Sequence, residues 1–455
     1  MVYKILLAVL ALSLTLFAQE TVLDDYIDQA LNSNPALKQS EFNYKKSIAA
    51  LKEARGLFLP NVSIEARYSR ADGGRLIEFP IGDLLNPIYQ TLNLLTGIPA
   101  FPTDLPNESF RFFREREHET KVRVVQPVFQ PQILYNHNIR KHLSEVEKAS
   151  RDAYARQLVA EVKTAYYNYL TAIQVVDLAE QTEKVLQENL RVSQSLYDND
   201  KVTIDAVYRA RTELSRLEQR QAEADKLYEL SKAYFNFLLN RSLDTSVATE
   251  DVRIPQTRDI QLLEDLQINA LRNREELRQL QSAINAQRNG VNLNRSTLLP
   301  GLTFVFDYGY QGEEYIFNDD YDYWMASGIL SWNLFSGGQN KARIQKAKLE
   351  QARLETQKHE LQNQIKLDVL TAFQNLKVVT ESIEAAENEL KSAEQNFEIV
   401  GKKYVQGMTP QIEYLDAQNT LTQAQLNAVM VNYDYFIKKA ELEKAAATFE
   451  FDLEN

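Results

Sequence analysis

The four histidines are the first residues to test for chemistry, because histidine serves both in acid–base catalysis and as a metal ligand. They are scattered along the chain, and the spacing of His137 and His142 does not place both on one face of a helix. The sequence contains no HExxH motif, no phosphate-binding loop and no nucleophile elbow. Gly337-Gly338 reads as a strand-to-helix turn, since no lysine-serine pair follows it. The sequence therefore predicts no enzyme, no cofactor and no bound metal.

One acidic pair, Glu413 and Asp416, follows Pro410. Its members are three positions apart, so that on a helix both lie on the same face. Carboxylates gathered on one surface attract cations. From these residues alone an ordinary solvated acidic pair is the preferred interpretation.

The amino-acid composition indicates which binding partners and which secondary-structure elements to expect. The formal net charge is −12, with 63 acidic against 51 basic residues, which argues against nucleic-acid binding because that needs a basic face. Only 14 glycines and 12 prolines occur in 455 residues. Helix breakers are therefore rare, and long helices are expected.

The first 18 residues predict a signal peptide. Lys4 precedes an apolar run, Ile5 to Phe17, and Ala18 offers a small residue for cleavage. The alternative is an N-terminal membrane anchor, but the run is shorter than the roughly 20 residues that span a bilayer. The chain has no cysteine, which excludes disulfides, thiolate metal ligands and a lipid on cysteine.

The chain contains an internal repeat. Residues 31–60 resemble residues 271–300, and each segment is a helical pattern that stops at a Leu-Pro pair. Alternating apolar and polar residues follow both prolines and predict strands with one apolar face. A second strand closes each unit. The apolar positions are Val62, Ile64, Ala66 and Tyr68; Val122, Val124 and Val128; Leu302, Phe304, Phe306, Tyr308 and Tyr310; and Trp324, Ala326, Gly328, Leu330 and Trp332.

Heptad spacing gives the clearest pattern. Apolar residues recur at steps of three and four at Ile365, Val369, Ala372, Leu376, Val379, Ile383, Ala386, Leu390, Ala393, Phe397, Val400 and Tyr404. The positions 207 residues earlier are Leu158, Val162, Ala165, Tyr169, Ala172, Val176, Ala179, Glu183, Leu186, Leu190, Ser193 and Tyr197. Ten of these twelve are again apolar or aromatic, which predicts two long supercoiled helices. A helix from Gln132 to Tyr197 would be on the order of 100 Å long.

These patterns together predict a duplicated strand-strand-helix-helix unit, in which each long helix turns back at Asp198 to Thr203 or Val405 to Pro410. The predicted segments are a signal peptide (1–18), first short helices (19–59), a first β-hairpin (60–130) with a long extracellular loop (71–120), a first helical hairpin (131–240), an equatorial linker (241–260), second short helices (261–299), a second β-hairpin (300–335), a second helical hairpin (336–448) and a tail (449–455).

Four strands of about ten residues have the length needed to cross a membrane at a tilt. Four strands cannot close a barrel, and an open edge cannot lie in lipid because its backbone groups would lack partners. Three chains would supply twelve strands. The alternative is a soluble sheet covered by the helices.

Several motifs, in this order within a duplicated frame, resemble the outer membrane efflux protein family, the TolC-like outer membrane factors. They are Ala165-Tyr166-Tyr167-Asn168-Tyr169-Leu170, Trp332-Asn333-Leu334-Phe335-Ser336-Gly337-Gly338, Tyr404-Val405-Gln406-Gly407 and Glu413-Tyr414-Leu415-Asp416-Ala417-Gln418. The resemblance covers nearly all of the mature chain. It implies a mainly α-helical fold with a transmembrane β part, in which a homotrimer forms a 12-stranded β-barrel in outer-membrane lipid and a 12-helix coiled-coil α-barrel across the periplasm.

The resemblance also implies partners and a gate. Family members dock with a periplasmic adaptor (membrane fusion) protein and an inner-membrane transporter of the RND, ABC or MFS type. An acidic ring closes the periplasmic tip, and its matching positions here are Glu413 and Asp416. Thr409 stands where members can carry a gate arginine, so Arg209 or Arg211 is a candidate for the cation of the gate links, and Asp205 is a candidate for the acid. Which salt bridges close the gate is left open at this point.

The resemblance places the adaptor-docking surfaces at the turns of the two helical hairpins. Ordinary loop turns without a binding role explain the same residues equally well. The docking surfaces comprise Asn199, Asp200 and Lys201 in the first hairpin and Gln406, Gly407, Met408 and Thr409 in the second. The 71–120 connection, rich in proline and apolar residues, predicts an ordered lid over the barrel mouth, with a disordered surface loop as the alternative.

The function expected from these observations is a passive export duct of a tripartite efflux or type I secretion system. A soluble or surface-layer coiled-coil scaffold is the alternative, and a periplasmic enzyme lacks a site. The exported substrate and the inner-membrane pump are not determined by this sequence.

Overall fold

The computed structural model describes residues 22–254 and 261–449, together with Phe451 and Leu453. The predicted signal peptide and residues 255–260 of the predicted linker lie outside the described residues. Within the described ranges, the apolar stretch that a membrane-crossing helix requires is not found in any helix.

The elements follow one another in the order α1 (Val22–Ser33), α2 (Pro35–Gly56), β1 (Asn61–Arg70), β2 (Leu76–Phe79), α3 (Ile81–Thr96), β3 (Glu108–Arg111), β4 (Arg116–Phe129), α4 (Pro131–Asp198), α5 (Ile204–Leu238), α6 (Leu263–Asn273), α7 (Glu275–Ser296), β5 (Gly301–Gly312), β6 (Asp322–Ser331), α8 (Gln339–Val405) and α9 (Gln411–Ala446). The pair β1–β4 precedes α4–α5, and the pair β5–β6 precedes α8–α9. This order confirms the predicted fold class, mainly α with a β part in a duplicated unit.

The chain divides into two compact units. A sheet unit comprises Ala50–Arg140 and Arg288–Lys348, and a helical unit comprises Met1–Ala49, Lys141–Gln287 and Leu349–Asn455.

The sheet unit contains one four-stranded antiparallel sheet in the order β1–β4–β5–β6. The strand register places apolar side chains beside apolar ones on one face and charged side chains beside charged ones on the other. Tyr308 lies opposite Val122 and Trp324, whereas the neighbouring Asp307 lies opposite Arg123. Because successive residues of a strand point to opposite faces, the apolar positions predicted from the alternation, Val62 to Tyr68, Val122 and Val124, Leu302 to Tyr310 and Trp324 to Leu330, share one face.

The opposite face of the sheet carries a network of charges. Arg123 donates two hydrogen bonds of 2.8 Å to the fully buried carboxylate of Asp307, and it also lies 3.2 Å from Glu65. Glu119 accepts hydrogen bonds from Lys121 at 2.8 Å and from the Tyr323 hydroxyl at 2.6 Å. One apolar and one charged face therefore alternate along the same strands.

The connection between β1 and β4 is shorter than predicted. The ladder extends to the pair Arg70 and Arg116, so β4 begins before residue 120 and the connection ends at Glu115. The reason is that polar residues such as Glu117 and Glu119 can still pair their backbone groups with β1, although they break the apolar pattern. Within the connection, β2 and β3 pair with each other on either side of α3.

The helical unit has a hydrophobic cluster for each helical hairpin. Leu23 of α1 packs in one cluster with Leu158 and Tyr166 of α4 and Phe235 of α5. The second cluster repeats this arrangement with residues of α6, α8 and α9, namely Leu266, Ala270, Ile365, Val369, Ile383, Tyr435 and Leu442. Each short helix thus covers the base of one hairpin.

The predicted heptad stripe is buried along α8, where Ile365, Val369 and Ile383 are at most 1% exposed. In α4 it holds in part beyond Ala172: Leu186 and Ser193 are buried as predicted, but the structure also buries Leu178, Thr182 and Asn189, while Glu183 and Leu190 are half-buried. A helix of 3.6 residues per turn drifts against a 3.5-residue repeat, and burying the Glu183 carboxylate would be costly.

A buried ion pair ties distant parts of the helical unit together. Arg156 of α4 donates hydrogen bonds of 2.9 and 2.8 Å to the carboxylate of Glu275 in α7. Its remaining nitrogen donates to the Phe449 carbonyl at 2.8 Å, and its guanidinium lies over the Phe449 ring. Three hydrogen bonds therefore satisfy a charge that is almost completely removed from solvent.

Candidate functional site at the helical hairpin tips

The two helical hairpins turn through the same backbone motif. At the α8–α9 turn Gly407 has φ 70°, its N–H bonds the Tyr404 carbonyl at 2.9 Å, and the Met408 N–H bonds the Lys403 carbonyl at 2.9 Å. At the α4–α5 turn Asp200, with φ 54°, and Lys201 make the equivalent bonds, both 2.9 Å long. Both turns are therefore Schellman-type helix ends, and in the first hairpin aspartate replaces the usual glycine.

The predicted docking residues lie on these turns. Exposed side chains or backbone are found at Asn199, Asp200, Lys201, Gln406, Gly407 and Met408, whereas Thr409 is half-buried. Met408 is the most exposed apolar side chain of this set, at 73%.

Behind the turns, the two hairpins share an apolar cluster. Tyr404 of α8 stacks on Tyr414 of α9 with ring centroids 4.8 Å apart, and both pack with Leu186 of α4 and Leu217 of α5. Burial raises the pKa of Tyr414 to about 12. The tips therefore meet through a dehydrated contact between all four helices.

A hydrogen-bonded group crosses this cluster, and we name it the four-helix node: Ser193 of α4, Ala206 of α5, Tyr404 of α8 and Gln411 of α9. The Gln411 amide nitrogen donates to the Ala206 carbonyl at 2.8 Å and to the Ser193 hydroxyl at 3.1 Å. The hydroxyls of Ser193 and Tyr404 are 3.0 Å apart. The Ser193 hydroxyl is also 2.8 Å from the Asn189 carbonyl.

The donors and acceptors of the four-helix node are consistent with one another. If Ser193 donates to the Asn189 carbonyl, its oxygen accepts from both the Tyr404 hydroxyl and Gln411. The node consists of neutral groups, and its side chains are all buried. It connects the two hairpins without an ion pair.

The predicted acidic pair lies on the exposed side of α9. Glu413 and Asp416 are both solvent-exposed, and the buried Tyr414, Leu415 and Ala417 occupy the other side of the helix. The Glu413 carboxylate accepts a hydrogen bond from the Thr409 hydroxyl. This bond links the α8–α9 turn to the first turn of α9.

The other predicted gate residues stay within one hairpin. Arg209 pairs with Asp205 one turn away in α5 at 3.3 Å, and Arg211 is exposed on the same helix. In the described part of the chain, neither arginine forms an ion pair with Glu413 or Asp416. The four-helix node links the two hairpins of the described chain, and a gate role for Asp205, Arg209 and Arg211 stays a prediction.

Sequence reasoning did not single out the node, although one signal was available. Ser193 interrupts the apolar register that continues on both sides of it, which marks a polar group in a core position. Gln411 gives no such signal, because a glutamine after the proline of a turn is usually a surface residue.

Residues 267–448 match the profile of the family described as outer membrane efflux protein. The match begins in α6 and ends just after α9, so the profile of the outer membrane efflux protein family contains the second strand pair, the second helical hairpin and the Glu413 tip.

Similarity to known outer-membrane proteins extends over nearly the whole chain. The outer membrane protein TolC of Escherichia coli K12 is 20% identical and aligns with 98% of this chain and 86% of its own length. The Campylobacter jejuni CmeC outer membrane channel superposes with a TM-score of 0.79 at 15% identity, covering 93% of this chain and 85% of that one. The Neisseria gonorrhoeae MtrE outer membrane channel, in its open state, gives 0.73 at 18% identity, covering 93% and 88%.

Proposed function

We propose that this chain is the outer-membrane channel subunit of a tripartite efflux or type I secretion system. Three copies form a passive duct that crosses the outer membrane and extends into the periplasm. The sorting of the sheet into an apolar and a charged face is the observation that carries this proposal.

The apolar face suits lipid. Strands of 10 to 14 residues are long enough to cross the hydrocarbon region when tilted. Trp324 is 70% exposed and Phe304 41% exposed in the single chain, which would be costly in water over a whole sheet face. Aromatic and aliphatic residues on an outward-facing strand surface are typical of outer-membrane barrels.

The two edges of the sheet require further strands. β1 and β6 each have one neighbour in the described sheet, so one edge of each strand is left open. Open edges are not tolerated in lipid, because each unpaired backbone group there costs several kcal/mol. Three copies contribute twelve strands and close the edges, with the Arg123–Asp307 network facing a water-filled interior.

The helical tips serve as the periplasmic gate in this proposal. Threefold symmetry gathers six carboxylates, from Glu413 and Asp416 of each subunit, around the axis and gives the duct a preference for cations. The exposed turns at Asn199–Lys201 and Gln406–Thr409 dock a periplasmic adaptor protein, which connects the duct to an inner-membrane transporter. The duct itself does not catalyse a reaction.

Membrane fractionation and gel migration test the two basic parts of the proposal, the outer-membrane location and the trimer. The protein should be found in the outer-membrane fraction and migrate as a heat-sensitive trimer on gels when it is not boiled. A water-soluble monomer as the native species would overturn the proposal, and soluble coiled-coil oligomers would support the scaffold alternative instead.

Single-channel recording tests the gate. The double variant Glu413→Ala with Asp416→Ala should lose most of its cation preference while remaining trimeric. Glu384→Ala with Glu387→Ala is the matched control, because these two exposed carboxylates are also three positions apart, on α8. Unchanged ion selectivity in the tip variant would rule out the acidic ring.

A further inference from the structure

The insertion helix α3 of the sheet unit carries an exposed apolar stripe. Ile81, Leu84, Ile88 and Leu95 are 39 to 76% exposed, and Thr91 occupies the position between the last two. Their successive spacings of three, four, three and four are those of a heptad seam. Such a stripe on a soluble surface helix normally faces a core, but here it faces away from its own chain.

The opposite side of α3 is fixed to the return segment of the insertion, residues 98–107. The Asn86 side chain exchanges hydrogen bonds of 2.8 and 3.0 Å with the backbone of Leu105. The Asn93 side chain does the same with the backbone of Phe101, at 2.8 and 3.0 Å. Asn86 and Asn93, which are one heptad apart, thus fix α3 to the return segment at two points along the helix.

Gly82 explains how closely the helix and the return segment approach. A Cβ atom at this position would lie 2.0 Å from the Leu105 carbonyl oxygen, so only glycine fits. The helix is therefore held in one orientation, with its polar side occupied and its apolar stripe presented outward. A fixed, apolar, heptad-spaced surface is suited to packing against another helix.

The charge of α3 distinguishes between two occupants of the stripe. Helices that lie on membrane surfaces carry lysine and arginine on their polar face. α3 contains neither, and Asp83 is its single charged residue. A protein surface without a strong charge fits this helix better than a layer of lipid headgroups does.

We propose that the stripe packs against the α3 helices of the two other subunits, forming a three-helix cap on the extracellular mouth of the channel. This inference rests on the proposed function, since the trimer supplies three copies of α3 from equivalent strand connections. Burial of leucine and isoleucine side chains is favourable, so packing of the three stripes against one another stabilises the cap. The cap narrows the duct at the end opposite to the gate.

The natural absence of cysteine makes the test direct. Leu95→Cys places a single thiol on the stripe, and Gln90→Cys places one on an exposed position of the same helix, away from the stripe. Trimers in outer-membrane vesicles are treated with a mild oxidant or a short bismaleimide. Leu95→Cys should form covalent dimers between subunits several-fold faster than Gln90→Cys.

Trimer migration in the same samples separates the two proposals. An intact trimer in which both variants cross-link equally slowly would overturn the cap and leave the export function standing. Absence of the trimer would overturn both. Quenching of a fluorophore at Leu95→Cys by brominated lipid would also overturn the cap, because it would place the stripe in the membrane.

Removal of the stripe provides a second readout that does not depend on thiols. Leu84→Asn with Ile88→Asn keeps the hydrogen bonds of Asn86 and Asn93 and makes the seam polar. We expect a several-fold higher single-channel conductance for this variant with unchanged cation preference, because the gate residues are untouched. An unchanged conductance would argue that α3 does not narrow the duct.

Discussion

Gln411 donates two hydrogen bonds from the second helical hairpin to the first at the tip, and it does so without a charge. Its two amide hydrogens reach the Ala206 carbonyl of α5 and the Ser193 hydroxyl of α4. Each of these two buried hydrogen bonds contributes about 0.5–1.5 kcal/mol to stability. The node therefore stabilises the packed arrangement of the tips, and no ion pair is needed for that purpose.

Gln411→Met tests this role, because methionine fills a similar volume and cannot donate. We expect faster hydrogen exchange in residues around the α8–α9 turn and a higher open probability in single-channel recordings. Gln406→Met is the control, since Gln406 is exposed at the same turn. Identical exchange in both variants would show that the node does not hold the tips together.

Glu41 in α2 gives the helical unit a dependence on pH. Burial alone would raise its pKa, but the hydrogen bond and charge of Arg151, 2.8 Å away, outweigh burial and place the pKa below its ordinary value. The folded state therefore favours the carboxylate. Its stabilisation is complete above the unfolded-state pKa, near 4.3, and is lost as the pH falls through the lower folded-state value.

Glu41→Gln should lower the free energy of unfolding by about 1–2 kcal/mol at neutral pH, since a charged hydrogen bond is lost. Thermal unfolding followed by circular dichroism should show this difference at pH 7 and its disappearance on acidification below about pH 4. Glu53→Gln, at an exposed position of the same helix, serves as the control. A difference that persisted in acid would contradict the ion-pair explanation.

Residue-level reasoning from sequence reached the exposed pair Glu413 and Asp416 but not the buried node. An exposed carboxylate on a patterned helix can be located from spacing alone. Which polar groups meet where four helices pack depends on how the helices are rotated relative to one another. The spacing of residues in the sequence does not specify that rotation. Asp205 and Arg209, two possible gate links, pair with each other within α5, and their part in a gate stays a prediction.

At the scale of elements, the turns differ in how well their sequences suit them. Gly407 adopts a left-handed conformation without steric cost, whereas Asp200 adopts it with a side chain. For residues with a Cβ atom this conformation is unfavourable by roughly 1 kcal/mol, and less for aspartate than for most residues.

Exchanging the two residues tests the motif. Asp200→Gly should leave stability unchanged or raise it by up to about 1 kcal/mol, and Gly407→Asp should lower it by about 1 kcal/mol. Urea unfolding of the detergent-solubilised protein measures both. Destabilisation by Asp200→Gly would mean that the aspartate side chain makes a contribution that outweighs its backbone conformation.

The strands and long helices were predictable because apolar residues alternate every two positions in strands but recur at steps of three and four in helices. Each pattern also occurs in both copies of the internal repeat. The alternation at Leu302 to Tyr310 gave the correct face, and the seam from Ile365 to Ile383 gave the buried side of α8. The start of β4 was missed, because its first residues pair through the backbone while their side chains are polar. The sequence pattern also did not predict the conformation of residues 71–115. There α3 is fixed by contacts of Gly82 and two asparagines with the return segment, residues 98–107.

At the scale of the whole molecule, neighbouring residues of one strand face different surroundings. Phe306 lies on the apolar face of β5, and Val305 lies on the same face as Asp307. In a barrel assembled from three chains, the first would meet lipid and the second the water-filled interior. A charge at the centre of the lipid face costs about 2–4 kcal/mol, and three copies multiply the effect.

Phe306→Arg should therefore reduce the amount of trimer in the outer membrane strongly, whereas Val305→Arg should be tolerated. Immunoblots of membrane fractions from cells with equal expression measure both variants. Equal losses would indicate a general folding defect, and a defect confined to Val305→Arg would reverse the assignment of the two faces.

The bond from Arg156 to the Phe449 carbonyl spans 293 positions of sequence. The first hairpin therefore cannot acquire this partner before residue 449 has been synthesised. Until then the Arg156 guanidinium lacks one of its three hydrogen bonds, so the base of the first pair of long helices is completed late in translation.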